Sequence, residues 1–168
     1  MTKMPVFLIR GIPGSGKSTF AKNLKSALDS ENAWQLARVF ETDNFFVDPN
    51  TGEYKFESRL LGAAHNWNQA EVYRFCRDFD NAPCIVANSF TTLDELKPYR
   101  EIAAEFGRPV CTITIKTVHQ NVHGVPDYAL QRMKDRWVDC RGSYEVHSDT
   151  AVPWIIANIV HHLHRSCR

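Results

Sequence analysis

Four apolar residues, Val6-Phe7-Leu8-Ile9, run straight into RGIPGSGKST, and this junction constrains the chain more than any other stretch. A short all-apolar run reads as a strand covered on both faces. Behind it, Phe20, Leu24 and Leu28 recur every four residues, which predicts a helix from Lys17 to about Asp29. Strand, glycine-rich turn and helix is the setting in which the pattern G-x-x-x-x-G-K-[ST] holds phosphate. The glycines let successive N–H groups point inward, and the helix start adds its partial positive charge. Gly11, Pro13, Gly14, Ser15, Gly16, Lys17, Ser18 and Thr19 are therefore assigned to the phosphates of a nucleoside triphosphate, read as ATP. Lys17 is expected at the β- and γ-phosphates and the Ser18 hydroxyl on Mg²⁺.

The remaining pattern alternates in the same way. A second strand should end near Phe40, just before Glu41-Thr42-Asp43. A long helix is expected over 58–79, and a strand over 84–87 behind Pro83. Thr92 followed by Glu95 is a capping-box pattern opening a helix that stops at Gly107. Residues 110–115 are β-branched and read as a strand. Pro126 suits the first turn of a helix to about Trp137, and a last helix is expected over 151–164. Such alternation predicts one α/β domain over 1–168: a P-loop NTPase-type three-layer fold, its central parallel sheet flanked by helices, with ligands at the carboxyl ends of the strands.

Composition narrows the partners. Twenty Lys and Arg against 19 Asp and Glu give no global basicity, so a nucleic-acid partner would have to be met by a local patch. The five scattered cysteines (Cys76, Cys84, Cys111, Cys140, Cys167) have no metal-type spacing and read as reduced thiols of a cytoplasmic protein. The first apolar run is too short to span a membrane, so no membrane contact is expected, and no protein partner is indicated.

Asp43 follows the second strand and can act in three ways: as general base for an attacking hydroxyl, as a Mg²⁺ ligand through water, or as a turn residue. At this point the motifs become specific. RGIPGSGKST, ETDNFF, AAHNWNQ, LKPY, NVHGVP and QRMKDRW occur in an order that resembles the P-loop polynucleotide 5′-kinase family. The likeness is strongest to the kinase domains of proteins that bind Nedd-type ubiquitin ligases, and it covers roughly residues 6–137. It implies that Asp43 is the general base and that Gly14, Gly16, Lys17 and Ser18 or Thr19 hold the donor. Two departures stand out. The family's Asp-Asn-Thr-Asn element is Ala87-Asn88-Ser89-Phe90 here, and its helical lid is reduced to residues 116–120 without the matching arginines.

With those arginines gone, Arg132 is taken as the donor-side cation; it shares a helix face with Arg136, and the alternative is a solvated charged face. Phe45, His65, Asn68, Asn88 and Arg10 are assigned to the acceptor, with Phe46, Phe90 and Arg59 as further candidates. For the aromatics and His65 a place in the core is the competing reading. The histidines near the carboxyl end (His161, His162, His164), with Cys167, read as solvated surface.

An open cleft suits a large acceptor, so DNA is the expected substrate. Two hydroxyls compete: a 5′ end, and the hydroxymethyl group of 5-hydroxymethyluracil, on which similar bacteriophage kinases act. The second is preferred, which would put the protein in the host cytoplasm if phage-encoded. A small-molecule kinase and a non-catalytic nucleotide-binding module remain as alternatives.

Overall fold

A computed structural model describes residues 3–30, 37–117 and 124–147. The helix expected over 151–164 with its histidines His161, His162 and His164, Cys167 beyond it, and Asn121 to His123 lie outside the described residues. So does most of the shortened lid segment.

Strand β1 (Val6–Arg10) leads into helix α1 (Lys17–Ser30), then strand β2 (Arg38–Phe40) and a 3₁₀ turn over Thr42–Phe46. A second 3₁₀ turn, Ser58–Leu60, opens helix α2 (Leu61–Asp78), so the long helix expected from 58 begins as a tighter turn. Strand β3 (Cys84–Asn88), helix α3 (Leu93–Glu105), strand β4 (Val110–Ile115), helix α4 (Asp127–Asp135) and strand β5 (Tyr144–Val146) follow. The sheet order is β2-β3-β1-β4-β5, and these neighbouring strands all pair in parallel. Strand β5 has no counterpart in the sequence pattern, since three residues are too few to show a period.

Strand β1 is buried along its whole length, as its unbroken apolar run requires. Its alternate residues face two cores. Phe7 and Ile9 pack with Phe20, Leu24 and Leu28 of α1, while Val6 and Leu8 pack with Val72 and Phe75 of α2 and Leu96 and Tyr99 of α3. Leu24 is wholly buried, so truncating it to alanine should cost about 2–5 kcal/mol. Register aligns Arg10 with Asn88 on one side and Thr114 on the other. Three strand ends thus form one row at the carboxyl edge of the sheet, and the loops that carry the chemistry leave from that row.

Helix α3 starts where the capping pattern predicted, but with a different bond. Thr92, the capping residue, makes no side-chain cap. Instead the N–H and hydroxyl of Thr91 both donate to the Glu95 carboxylate, at 2.7 and 3.1 Å.

Candidate active site

The phosphate loop has the backbone its glycines imply. Gly14 and Gly16 have φ of 81° and 87°, a left-handed conformation that only glycine adopts without strain. A Cβ on Gly11 would sit 2.5 Å from Ser15 Oγ and 3.2 Å from the Ile115 carbonyl oxygen. Ser15 is fully buried, and its Oγ has no hydrogen-bond partner among the described residues, so a phosphate oxygen in the loop would give it one. Helix α1 has no acidic residue in its first turn, which leaves its positive end unopposed.

Lys17 Nζ donates to the Ile12 carbonyl oxygen at 3.0 Å. Burial pulls its pKa from the ordinary lysine value of 10.5 down to about 8, against the opposing pull of the Asp43 and Glu41 carboxylates. The ammonium is therefore within electrostatic reach of Asp43. Ser18, half-buried, and Thr19, exposed, follow on the first turn of α1. The fit to Mg²⁺ is of the usual kind for such a loop. Among the described residues no cluster of three or more His, Cys, Asp or Glu could cage a metal, and Mg²⁺ is commonly held by one or two protein oxygens together with phosphates and water. Ser18 is the residue that would hold it, with the Asp43 carboxylate as the alternative ligand to its role as base.

Asp43 is exposed in the first turn of the 3₁₀ segment, and a buried polar node supports it from below. The N–H of its neighbour Thr42 donates to Asn88 Oδ1 at 2.9 Å. Asn68, fully buried on α2, donates from Nδ2 to the Tyr99 hydroxyl at 2.9 Å. The same hydroxyl lies close to Thr42 and Asn88, whose Oγ1 and Nδ2 make no hydrogen bond among the described residues. Two assignments change as a result. Asn68 lies inside the protein and cannot touch an acceptor. Asn88 turns its carbonyl inward onto Thr42, so it holds the Asp43 turn in place. Tyr99, which sequence reasoning noted only as part of LKPY, is the centre of this node.

Arg10 also departs from its expected role. Its guanidinium is wholly buried, with Nε donating to the Phe90 carbonyl oxygen at 3.0 Å and Nη2 to the Val138 and Thr91 carbonyl oxygens at 2.7 and 3.4 Å. It is not free to meet a nucleic-acid phosphate. Arg59 is exposed but paired with Glu57 at 2.7 Å. Phe90 is buried edge-on to Tyr99, 5.3 Å between centroids, with φ of 46°, and so belongs to the core. Phe46 is buried too. Phe45 is half-buried, 5.8 Å from the Trp67 ring.

His65 is half-buried on α2, one turn before Asn68, and makes no hydrogen bond among the described residues. Arg132 is exposed on α4, a helix with no buried residue, and has no ion-pair partner among the described residues. Its neighbour Arg136 reaches Glu95 at 3.6 Å. Ala87 is buried in the sheet opposite Ile9, so the position of the family's acid contributes no polar group.

A family model described as an AAA domain matches residues 6–123. The chain belongs to this family. It has a P-loop kinase-like fold. Over 139 residues it is 30% identical to NEDD4-binding protein 2 of Homo sapiens, a match covering 77% of the chain and 7% of that protein. The chain thus spans a small part of that relative's length. Kti12 of Chaetomium thermophilum, solved with ADP-AlF3, superposes with a TM-score of 0.69 at 14% identity, covering 94% of this chain and 98% of that one. APS kinase CysC of Mycobacterium tuberculosis, solved with AMPPNP and APS, gives 0.65 at 15% identity, with 98% and 99% covered. These likenesses establish the P-loop fold, and both neighbours were solved with adenine nucleotides or their analogues. No helix among the described residues is long and apolar enough to cross a membrane.

Proposed function

We propose that the domain is an ATP-dependent kinase whose acceptor is a hydroxyl on DNA, by preference the hydroxymethyl group of 5-hydroxymethyluracil in bacteriophage DNA. The observation that carries the kinase chemistry is the nearness of Lys17, at the start of the phosphate-loop helix and bonded to the Ile12 carbonyl oxygen, to the exposed carboxylate of Asp43, whose charge it feels. One group is where donor phosphates are held, and the other is free to face an incoming hydroxyl.

The residues divide the reaction as follows. The loop and the positive end of α1 hold the triphosphate, and Lys17 offsets charge on the transferring group. Asp43 accepts the hydroxyl proton as the acceptor oxygen bonds to the γ-phosphorus. The bond from that phosphorus to the β–γ bridging oxygen breaks, and ADP leaves. When bound, Mg²⁺ neutralises charge on the β- and γ-phosphate oxygens. Arg132, exposed and unpaired among the described residues, is the further cation for the donor side. The acceptor preference is supported by the aromatic rings next to Asp43, with Phe45 two residues along the same turn. The reduced thiols fit the cytoplasm, that of the host if the gene is phage-borne.

The test offers the protein ATP, Mg²⁺ and two DNAs. One has free 5′-hydroxyls and ordinary bases; the other has blocked ends and internal 5-hydroxymethyluracil. Mass spectrometry of the digested nucleosides then locates the new phosphate. Phosphate on the base supports the proposal. Phosphate at the 5′ end replaces it with a polynucleotide 5′-kinase, and phosphate on neither turns it toward a small-molecule kinase.

A further inference from the structure

With Ala87 where the family has an acid, the end of β3 carries no carboxylate, and the strand beside it supplies one. Register pairs Phe40 of β2 with Val86 of β3. Two residues on, the Thr42 N–H donates to Asn88 Oδ1 at 2.9 Å, so the two chains stay side by side past their last ladder pair. Between these two ties, Glu41 lies level with Ala87.

The backbone also fixes which way Glu41 faces. Its φ of −132° and ψ of 134° are extended, so the side-to-side alternation of β2 runs through it. Val39, two residues earlier, packs with Ile9, Ala87 and the buried side of α1, whereas Phe40 packs with Val86 in the opposite core. Glu41 therefore shares the face of Val39 and Ala87. That is the face on which α1 begins, at Lys17.

The carboxylate has no other task in the fold. Glu41 is half-buried and makes no side-chain cap on the 3₁₀ turn it precedes. It has no ion-pair partner among the described residues, yet its charge is felt at the Lys17 ammonium, as that of Asp43 is. In the order β2-β3-β1, it stands one strand further from the phosphate loop than position 87, a step of about 4.8 Å. A glutamate recovers part of that step, being one methylene longer than an aspartate. Mg²⁺ bound to nucleotide phosphates keeps several waters, and a carboxylate at this remove meets those waters, not the ion.

We infer that Glu41 steadies the Mg²⁺ of the bound nucleotide, its carboxylate accepting hydrogen bonds from the ion's waters where position 87 has no acid to do so. The inference rests on the proposed kinase reading and adds a residue to its donor side. It also divides the two carboxylates beside Lys17: Glu41 positions the metal, and Asp43 is left to act as base.

The test titrates AMPPNP into the wild-type protein and Glu41→Gln by calorimetry, once with Mg²⁺ and once with EDTA. Glutamine keeps the size of the side chain and removes its charge. With Mg²⁺ the variant should bind about tenfold or more weakly, the usual scale for losing a group that holds a metal's ligands. With EDTA it should bind as well as wild type or better, because a carboxylate near a bare triphosphate repels it. An equal loss in both conditions overturns the inference, since Glu41 would then only support the loop. An unchanged or raised affinity with Mg²⁺ overturns it too, as does a wild-type protein that binds no tighter with Mg²⁺ than with EDTA. Phosphoryl transfer separates this from the parent reading. DNA phosphorylation by wild type, with equal Mg²⁺–nucleotide affinity in both proteins, overturns the role of Glu41 and leaves the kinase standing. The Mg²⁺-dependent loss in a protein that phosphorylates no DNA keeps Glu41 and removes the proposed acceptor.

Discussion

The Arg10 guanidinium lies over the Trp137 ring, 4.1 Å from its centroid, and joins the residue before the phosphate loop to the segment leaving α4. Between them runs the exit from β3, whose Phe90 and Thr91 carbonyl oxygens accept from the same guanidinium. Desolvation lowers the Arg10 pKa, opposed by Cys140, Asp139 and Glu95. Arg10→Met should orphan the Phe90 and Val138 carbonyl oxygens and destabilise the protein by about 2–6 kcal/mol, at about 1–3 for each unsatisfied group. Trp137→Leu removes the ring contact and the exposed indole bond to Asp139 Oδ1 at 3.2 Å, and should cost about 0.5–2 kcal/mol. Urea unfolding of the two variants measures both. A cost for Arg10→Met no larger than that for Trp137→Leu would mean the carbonyl bonds contribute nothing.

Lys17 makes stability depend on pH in a direction that can be worked out. Its folded pKa, about 8, lies below the ordinary 10.5. Between these values the unfolded chain binds more protons than the folded one, so the Lys17 contribution to stability rises with pH. Below pH 8 the buried charge destabilises the ligand-free protein by about 3 kcal/mol. Lys17→Met should therefore be more stable than wild type near neutrality, and this advantage should shrink toward pH 10.5. Denaturation of both proteins across that range checks it. Nucleotide phosphates favour the charged lysine, so ATP binding between these pH values should take up a proton, seen by calorimetry in buffers of different ionisation enthalpy.

These two residues mark what could and could not be read in advance. Lys17 was legible because the phosphate loop is local: strand, glycines and helix lie within about one turn of each other in sequence. The strands at 6–9, 84–87 and 110–115 and the stripe on α1 were legible for the same reason, since periodicity is local. Arg10 was not. Sequence supplies its charge but not the arrival of Trp137 from far along the chain. Asn68 and Asn88 look like acceptor contacts until Tyr99 is brought between them. Tyr144-Glu145-Val146 is too short to show a period, so β5 exists only through its pairing with β4. Glu95 was read as the partner of Thr92, one residue from the true donor, because a helix start is defined by backbone angles that sequence leaves open.

The node below Asp43 separates chemistry from positioning. Asp43→Asn should lower phosphoryl transfer by about 10²–10⁴-fold while ATP affinity stays close to wild type. A large loss of ATP affinity would instead make Asp43 a metal ligand. Asn88→Ala leaves the carboxylate in place but frees the turn that carries it. It should lower kcat with little change in the KM for ATP, and Asn88→Asp, which keeps an acceptor for the Thr42 N–H, should recover part of that loss. Equal losses in Asn88→Ala and Asn88→Asp would overturn the positioning role.

Gly11 allows a test of the loop that leaves its charges intact. A methyl group there would meet Ser15 Oγ at 2.5 Å, and the Ile115 carbonyl oxygen blocks the other way out at 3.2 Å. Ser15 is buried and cannot swing into solvent, so Gly11→Ala must displace the loop itself. The strand below is anchored on both sides by β3 and β4, which directs the movement toward the N–H groups that face the phosphates. ATP affinity should fall by about tenfold or more, as for misplacement of one or two charge-assisted hydrogen bonds. The variant should remain folded, because neither core cluster includes the loop. Adding Ser15→Gly removes the clashing hydroxyl together with the bond it offers a phosphate oxygen, so it should restore part of the affinity relative to Gly11→Ala and bind no better than Ser15→Gly alone, measured by equilibrium binding of a fluorescent ATP analogue. If the double variant binds no better than Gly11→Ala alone, the contact with Ser15 is not what blocks the loop.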